Sequence, residues 1–132
     1  MIRNAFRILF VLWAGSLWSL AAWVAPTLFY AQSDRHLAGA LAARLFSIET
    51  YVGLGVAALA LLLPGRMRFV WGYAAAALLS ADEWVLKGIL AQAHVRGSVA
   101  HLGFLAWHAV SGALYVLACC AVLRLVWKED FR

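Results

Sequence analysis

Four long apolar stretches constrain the fold of this chain more than any other feature of its sequence. They cover residues 6–30, 41–63, 67–89 and 99–127. A helix needs about 20 apolar residues to cross the hydrocarbon layer of a bilayer, and each stretch is at least that long. The chain is also 66% hydrophobic and only 13% charged, whereas soluble domains carry roughly a quarter charged residues. The sequence therefore predicts an all-α integral membrane protein, a single domain over residues 1–132 formed by an antiparallel bundle of four transmembrane helices.

The first apolar stretch has the charge pattern of a signal peptide, because Arg3 and Arg7 precede it. Its apolar run continues to Tyr30, well beyond the core of about 15 residues that a signal peptide has. We therefore expect this stretch to remain in the protein as the first helix.

Basic residues are unevenly divided between the two sides of the predicted bundle. One side holds seven: Arg3, Arg7, Arg66, Arg68, Arg124, Lys128 and Arg132. The other holds Arg35, Arg44, Lys87 and Arg96. Cytoplasmic loops carry the excess of Lys and Arg, so both termini are predicted to be cytoplasmic in a multi-pass protein of a bacterial inner membrane. The net charge of +5 then reflects topology and contact with the lipid bilayer, and it gives no indication of nucleic-acid binding.

Local signals indicate where the helices begin, bend and approach one another. Asp34 is a plausible N-cap for an early start of the second helix, Pro64 and Gly65 predict the turn after it, and Pro26 predicts a bend in the first helix. Small residues at spacings of four, such as Gly15 with Ser19 and Gly53 with Ala57, predict close helix packing. The sequence leaves open whether such a face also joins two copies into a homo-oligomer.

Ionisable residues from three predicted helices fall at a similar depth in the membrane. With about 1.5 Å of rise per residue, Glu49, Asp82, Glu83 and His108 all lie in the outer part of the bundle. A charged group in hydrocarbon costs at least about 2.5 kcal/mol, so these side chains are expected to face inward and find partners. We predict a polar centre formed by Glu49, His108 and one of the two adjacent acids.

The remaining members of the predicted site follow from helical spacing. Glu83 shares a stripe with small residues and with Lys87, which favours Glu83 over Asp82 as the inward-facing acid. His101, His108 and Tyr115 follow one face of the fourth helix with Ser111 on its flank. We expect Arg44 and His101 to form a rim above the centre, with Ser111 and Tyr115 supporting it.

Imidazole and carboxylate groups together suit a divalent transition metal, so Glu49, His108, Glu83 and Asp82 are candidate metal ligands. The same residues have a structural explanation, since an acid or a histidine can simply hydrogen-bond a neighbouring helix. The vicinal Cys119 and Cys120 are interpreted as packing residues. No motif for nucleotide chemistry or hydrolysis occurs, so the sequence favours a role other than catalysis.

The first two helices resemble a known family. The segments LWAGSLWSLAAWVAPTLFY, DRHLAGALAARLFSIETYVGLG and FLAWHAVSGALYVL resemble small four-helix membrane proteins of unknown function that include transmembrane protein 205 and its bacterial relatives. The resemblance implies that Pro26, Arg44, Glu49, His108 and Ser111 match the family pattern. It implies an integral four-helix protein and supplies no activity.

A more distant resemblance concerns redox proteins. The segment WAGSLWSL and the spacing of Phe46, Glu49 and Tyr51 are similar to the membrane-bound haem-containing protoporphyrinogen oxidase and to copper-resistance membrane proteins. That oxidase has a histidine in its first helix, where this chain has Phe6. The resemblance therefore implies haem b only through His108 or His101.

Three hypotheses for function follow. In the first, the polar centre binds a metal ion or another small ligand, with proton-coupled transport as an extension. In the second, the chain is a structural or accessory membrane subunit that holds no ligand. In the third, it is a redox protein that binds haem b through His108 or His101.

Overall fold

The computed structural model describes residues 1–130, and its helices form four rods. The first rod comprises α1 (Ile2–Ser19), a π-helical turn (Leu20–Val24) and α2 (Ala25–Ala31), and the second rod is α3 (Arg35–Leu61). The third rod follows a 3₁₀ turn (Arg66–Phe69) and comprises α4 (Val70–Ala81), a π-helical turn (Asp82–Leu86) and α5 (Lys87–Arg96). The fourth rod is α6 (Phe104–Asp130). Two short strands, β1 (Ser98–Val99) and β2 (Leu102–Gly103), form an antiparallel hairpin between the last two rods.

The rods pack as an antiparallel bundle. The α4 helix contacts α3 and α6, and α1 contacts the same two helices, so the four rods close into a ring. Within the described residues, three helices are long and apolar enough to span a membrane, and they cover Asn4–Ala31, Arg35–Leu61 and Phe104–Lys128. The structure therefore supports an all-α membrane protein. The third rod carries three charged residues near its middle, namely Asp82, Glu83 and Lys87.

The second rod begins where the sequence predicted an early start. The Asp34 carboxylate accepts hydrogen bonds from the backbone amides of His36, at 2.9 Å, and Leu37, at 3.2 Å. These amides have no partner within the helix, so the aspartate cap stabilises its first turn. The prediction of this N-cap is confirmed.

The first and third rods each contain a π-helical turn. In the first rod this turn ends just before Pro26, which lies at the start of α2. Proline lacks an amide hydrogen and disturbs the hydrogen-bond ladder behind it, so the interruption lies where the sequence predicted a bend. The second π-helical turn contains no proline and was not predicted.

The fourth rod begins later than predicted. Residues 99–103, which we predicted to be helical, belong to the hairpin and its turn, and α6 begins at Phe104. Ala100 and His101 form the turn with φ values of 50° and 64°. Positive φ at both central residues suits the right-handed twist of a two-residue hairpin. The prediction that His101 lies on a helical face shared with His108 is therefore wrong.

The buried core lies towards one end of the bundle, called here the Phe69 end because it contains that residue. The largest fully buried side chains of this core are Phe10, Leu17, Val122 and Leu125. At the opposite end, called the hairpin end, residues 21–31 and 104–114 contain no buried side chain. In the second and third rods, Ala38, Ala42, Leu86 and Ala93 are buried on this side, so the looser packing at the hairpin end is confined to the first and fourth rods.

Two glycines permit close approach between rods. A Cβ atom at Gly53 would overlap the indole ring of Trp13, and one at Gly72 would overlap the ring of Phe10. In lipid the hydrophobic effect does not hold helices together, and small residues allow the close van der Waals contact between helices that does so instead. At Gly15, which belongs to another predicted small-residue pair, a Cβ would meet no atom within 4 Å.

Candidate functional site

Seven polar residues near the middle of the rods form three contacts between neighbouring helices. We call this set the polar layer, and its members are Ser16, Ser47, Glu49, Asp82, Glu83, Lys87 and Ser111. All four rods contribute to it. In a membrane such groups need partners inside the protein, and each of the three carboxylates receives a hydrogen bond from a serine on another rod.

Glu49 joins the second rod to the first. The Ser16 hydroxyl donates to Oε1 of Glu49, and the indole Nε1 of Trp13 donates to the backbone carbonyl of Glu49 at 3.2 Å. The second carboxylate oxygen, Oε2, is buried and has no hydrogen-bond partner. Tyr115 and Cys119 of α6 lie within electrostatic range of this carboxylate. Glu49 therefore presents one satisfied oxygen and one that is available to a proton or a ligand.

Glu83 joins the third rod to the second. The Ser47 hydroxyl lies 2.9 and 3.0 Å from the two carboxylate oxygens of Glu83. Lys87, one helical turn further on, pairs with Glu83 at 2.5 Å and also donates to the Ser47 hydroxyl. The charge of Glu83 is thus compensated by an adjacent cation and its oxygens are satisfied.

Asp82 joins the third rod to the fourth. The Ser111 hydroxyl donates to Oδ1 of Asp82 at 2.5 Å, and His108 lies within electrostatic range of the same carboxylate. Adjacent side chains on a helix point in different directions, and the third rod, whose π-helical turn holds both acids, lies between α3 and α6. Asp82 and Glu83 therefore bond opposite neighbours. The sequence had favoured only Glu83 for an inward orientation.

The two candidate haem-binding histidines lie apart from the polar layer's hydrogen bonds. His108 is exposed on α6, and its ring stacks on Phe104 with centroids 5.9 Å apart. His101 is exposed in the hairpin turn. The expected pairing of these two histidines on one helix face is absent, so the haem b hypothesis has no support from this geometry and remains a prediction.

The supporting residues predicted from sequence have different positions. Tyr115 is buried, and its hydroxyl donates to the backbone carbonyl of Leu17 at 2.6 Å. Ser111 bonds Asp82 as described. Arg44 is exposed on α3 and makes no ion pair with any residue in the range 1–130 whose side chain the structure describes.

The predicted metal set is divided between separate contacts. The three carboxylates bond three different rods, namely the first for Glu49, the second for Glu83 and the fourth for Asp82. No hydrogen bond, ion pair or ring contact in the described chain joins Glu49 to His108. Among the described residues, no group of three or more histidine, cysteine, aspartate or glutamate side chains could hold a metal ion. Metal binding through these residues therefore remains a prediction.

Three members of the layer were not recognised as site residues from the sequence: Ser16, Ser47 and Lys87. Serine is common in membrane helices, so its presence alone carries little information. Only their spacing from the acidic residues in the sequence could have identified them. Ser47 lies two residues before Glu49, and Lys87 lies four residues after Glu83, a spacing that the sequence did indicate as a pair.

A family model described as a domain of unknown function (DUF4149) matches residues 8–129. No curated protein and no solved structure matches the chain significantly.

Proposed function

Because the chain belongs to the DUF4149 family of unknown function, its role has to be inferred from its own residues, and we propose that it is an integral membrane protein that binds a small ligand. In this proposal the polar layer takes up a small cationic ligand, a metal ion included, and its carboxylates exchange protons with that ligand. Proton-coupled transport is the extension of this role.

One observation carries the proposal: among the described side chains, neither Glu49 nor Asp82 forms an ion pair, although Lys87 and His108 lie within electrostatic range of Asp82. Each accepts one serine hydrogen bond, while Glu83 alone is paired with Lys87. A carboxylate within hydrocarbon must be protonated or compensated by a positive charge. Two carboxylates without an ion pair in one layer can therefore hold a proton at rest and release it when a cation binds.

The looser packing of the first and fourth rods at the hairpin end supports access to the layer. Residues 21–31 and 104–114 of the first and fourth rods contain no buried side chain, whereas the Phe69 end is closed by large apolar residues. A ligand would therefore enter from the hairpin end. With both termini on the cytoplasmic side, as the basic residues predict, this entry faces away from the cytoplasm.

Four transmembrane spans are part of the same proposal. The third rod, residues 70–96, is about 40 Å long at 1.5 Å per residue and lies antiparallel between α3 and α6. Its charged residues bond its neighbours, which lets the rod cross the membrane despite their charge. Labelling of single cysteines placed at Gln32, Pro64 and Gly97 from either side of the membrane tests this topology. We expect Gln32 and Gly97 to be labelled from one side and Pro64 from the other, and labelling of Gly97 from the same side as Pro64 would exclude four spans.

Binding is tested with the purified protein in detergent. Mn²⁺, Co²⁺ and Zn²⁺ are titrated in weakly buffered solution while heat and released protons are measured, and the absorption spectrum is recorded for haem. We expect one of these cations to bind with release of about one proton. Glu49→Gln and Asp82→Asn, which keep size and hydrogen bonding, should abolish the release, whereas Asp34→Asn at the helix cap should not.

A structural role is the second candidate, and a specific observation favours it: every carboxylate of the layer bonds a serine on another rod. In that case the layer only fixes the register of the helices. The same variants would then lower the stability of the bundle while the native protein binds none of the three cations. That result would rule out cation binding and leave the accessory role.

A further inference from the structure

Tyr115 lies between the carboxylate of Glu49 and the hairpin end of the bundle. The second rod runs from the hairpin end to the Phe69 end, so Phe46, three residues before Glu49, lies about 4.5 Å nearer to the hairpin end. The ring of Tyr115 packs edge-on against Phe46, with ring centroids 4.8 Å apart, and Tyr115 is within electrostatic range of the Glu49 carboxylate. The tyrosine ring therefore lies about one helical turn from the acid, on its hairpin side.

The first rod places the hydroxyl of Tyr115 at the same level. This rod runs from the Phe69 end to the hairpin end, and the indole of Trp13 donates to the backbone carbonyl of Glu49 at 3.2 Å. Leu17, whose carbonyl accepts the hydrogen bond of the Tyr115 hydroxyl, lies about 6 Å further towards the hairpin end than Trp13. Tyr115 is 8% exposed, so its side chain fills the space between three rods on this side of Glu49.

Two buried groups lie beyond the tyrosine, towards the Phe69 end. The Oε2 atom of Glu49 is buried and has no hydrogen-bond partner among the described residues. Cys119, one turn after Tyr115 on α6, is 2% exposed and lies within electrostatic range of the same carboxylate. The other oxygen of Glu49 bonds Ser16, which is exposed on the lateral surface of the bundle, and in a membrane that surface faces hydrocarbon. A hydrated cation that comes from the hairpin end therefore has to pass Tyr115 to reach Oε2.

We propose that Tyr115 is a gate: its ring blocks the route from the hairpin end to the buried oxygen of Glu49, and release of its bond to Leu17 opens that route. This inference rests on the proposed function, because it concerns access to the polar layer. Rotation about one side-chain bond moves the ring without moving a rod. The ring has room on the hairpin side, since residues 21–31 and 104–114 of the flanking rods contain no buried side chain.

The thiol of Cys119 allows a test that needs no bound ligand. The full chain carrying Cys120→Ala, which removes the exposed thiol, serves as the parent protein and is purified in detergent. It is treated with methyl methanethiosulfonate, and modification of Cys119 is followed by intact mass. We expect Tyr115→Phe to react about fivefold faster than the parent, which is the effect of one net hydrogen bond on an opening equilibrium. Tyr115→Ala, which also removes the ring, should react at least about tenfold faster.

Val122→Ala separates a gate from general loosening of the bundle. Val122 is 0% exposed and lies three residues after Cys119, towards the Phe69 end, so its truncation destabilises the core without opening the hairpin side. Cys119 should react in this variant at nearly the parental rate. The gate is overturned if Tyr115→Ala accelerates the reaction no more than Val122→Ala does, or if Cys119 reacts in the native chain as fast as Cys120. If Tyr115→Ala does not fold, the same comparison with Tyr115→Phe decides the outcome.

The outcomes for the gate and for cation binding can be told apart. If the native chain binds none of the three cations while Tyr115→Ala still exposes Cys119, the proposed function fails and the barrier over Glu49 is supported. If a cation binds with proton release while labelling of Cys119 does not depend on Tyr115, the proposed function stands and the gate is overturned. Where a cation binds, Tyr115→Phe should also speed proton release on rapid mixing by about fivefold, with the number of protons unchanged.

Discussion

The hydroxyl of Tyr115 donates a 2.6 Å hydrogen bond to the backbone carbonyl of Leu17, so two residues 98 positions apart in sequence join the first and last rods. The Tyr115 ring also packs edge-on against Phe46 of the second rod, with centroids 4.8 Å apart. One buried side chain thus connects three of the four rods. It does so next to the carboxylate of Glu49, within electrostatic range.

Removing only the hydroxyl of Tyr115 tests this connection. Tyr115→Phe keeps the ring against Phe46 and loses the bond to Leu17, so we expect the free energy of unfolding to fall by about 1 kcal/mol. The measurement is reversible unfolding in mixed detergent micelles. The control is Tyr51→Phe, since Tyr51 is exposed and pairs through its ring with Trp84. Equal stability of the two variants would contradict the role assigned to the hydroxyl.

Gly53 is the second point at which a small change should have a large effect. In Gly53→Ala the new methyl group overlaps the indole of Trp13, which is only 2% exposed and has little room to move. Overpacking of this kind costs about 1 to 3 kcal/mol. Gly55→Ala, two residues away on the same helix, meets no atom within 4 Å and should leave stability unchanged or raise it by up to about 1 kcal/mol. A similar loss in both variants would contradict the contact with Trp13 as the cause, because helix propensity alone favours alanine at both positions.

Gly97 ends the third rod in the left-handed region, with a φ of 82°. An alanine there places a Cβ atom against the neighbouring carbonyl, so Gly97→Ala should destabilise the hairpin end by about 1 kcal/mol. Gly88→Ala is the matched variant within the same rod, because its position is helical and no atom lies within 4 Å of the added Cβ. Amide hydrogen exchange of residues 94–104 should accelerate only in the Gly97 variant.

Features that depend on local chemistry were predicted well from the sequence. The lengths of the apolar stretches indicated the rods, and Asp34 marked the start of the second one. The Pro64 and Gly65 pair predicted the turn that follows, in which Gly65 has a φ of 83°. Each of these signals acts over a few residues, so no knowledge of distant contacts was needed.

The partners of the ionisable residues could not be predicted in the same way. The sequence indicated that they lie at a similar depth in the membrane. Depth alone does not indicate which neighbouring rod each side chain contacts. Asp82 bonds Ser111 while its neighbour Glu83 bonds Ser47, because α4 lies between two other helices. The π-helical turn that contains both acids belongs to the same tertiary arrangement, and no proline marks it in the sequence.

The start of the fourth rod was missed for a different reason. Val99, Ala100 and Leu102 before Phe104 extend the apolar pattern of the fourth stretch, whereas the hairpin turn uses Ala100 and His101 at positive φ. Such turns usually contain glycine or asparagine. The absence of these residues removed the usual signal, and His101 was therefore assigned to the helix.

The ion pair between Glu83 and Lys87 offers a test of how the polar layer is balanced. Their charged groups lie 2.5 Å apart, with side chains that are 13 and 34% exposed respectively. Breaking a partly buried pair leaves one charge uncompensated, so Lys87→Gln alone should cost more stability than the double change Glu83→Gln with Lys87→Gln. We expect a coupling free energy of about 1 kcal/mol or more from the double-mutant cycle, above the range of many surface pairs. The same cycle on Glu49 with Lys87 should give no coupling, since Glu49 bonds Ser16 and not the lysine. If both cycles give zero, Lys87 does not compensate Glu83, and the contrast between this acid and Glu49 and Asp82, which form no ion pair among the described side chains, disappears.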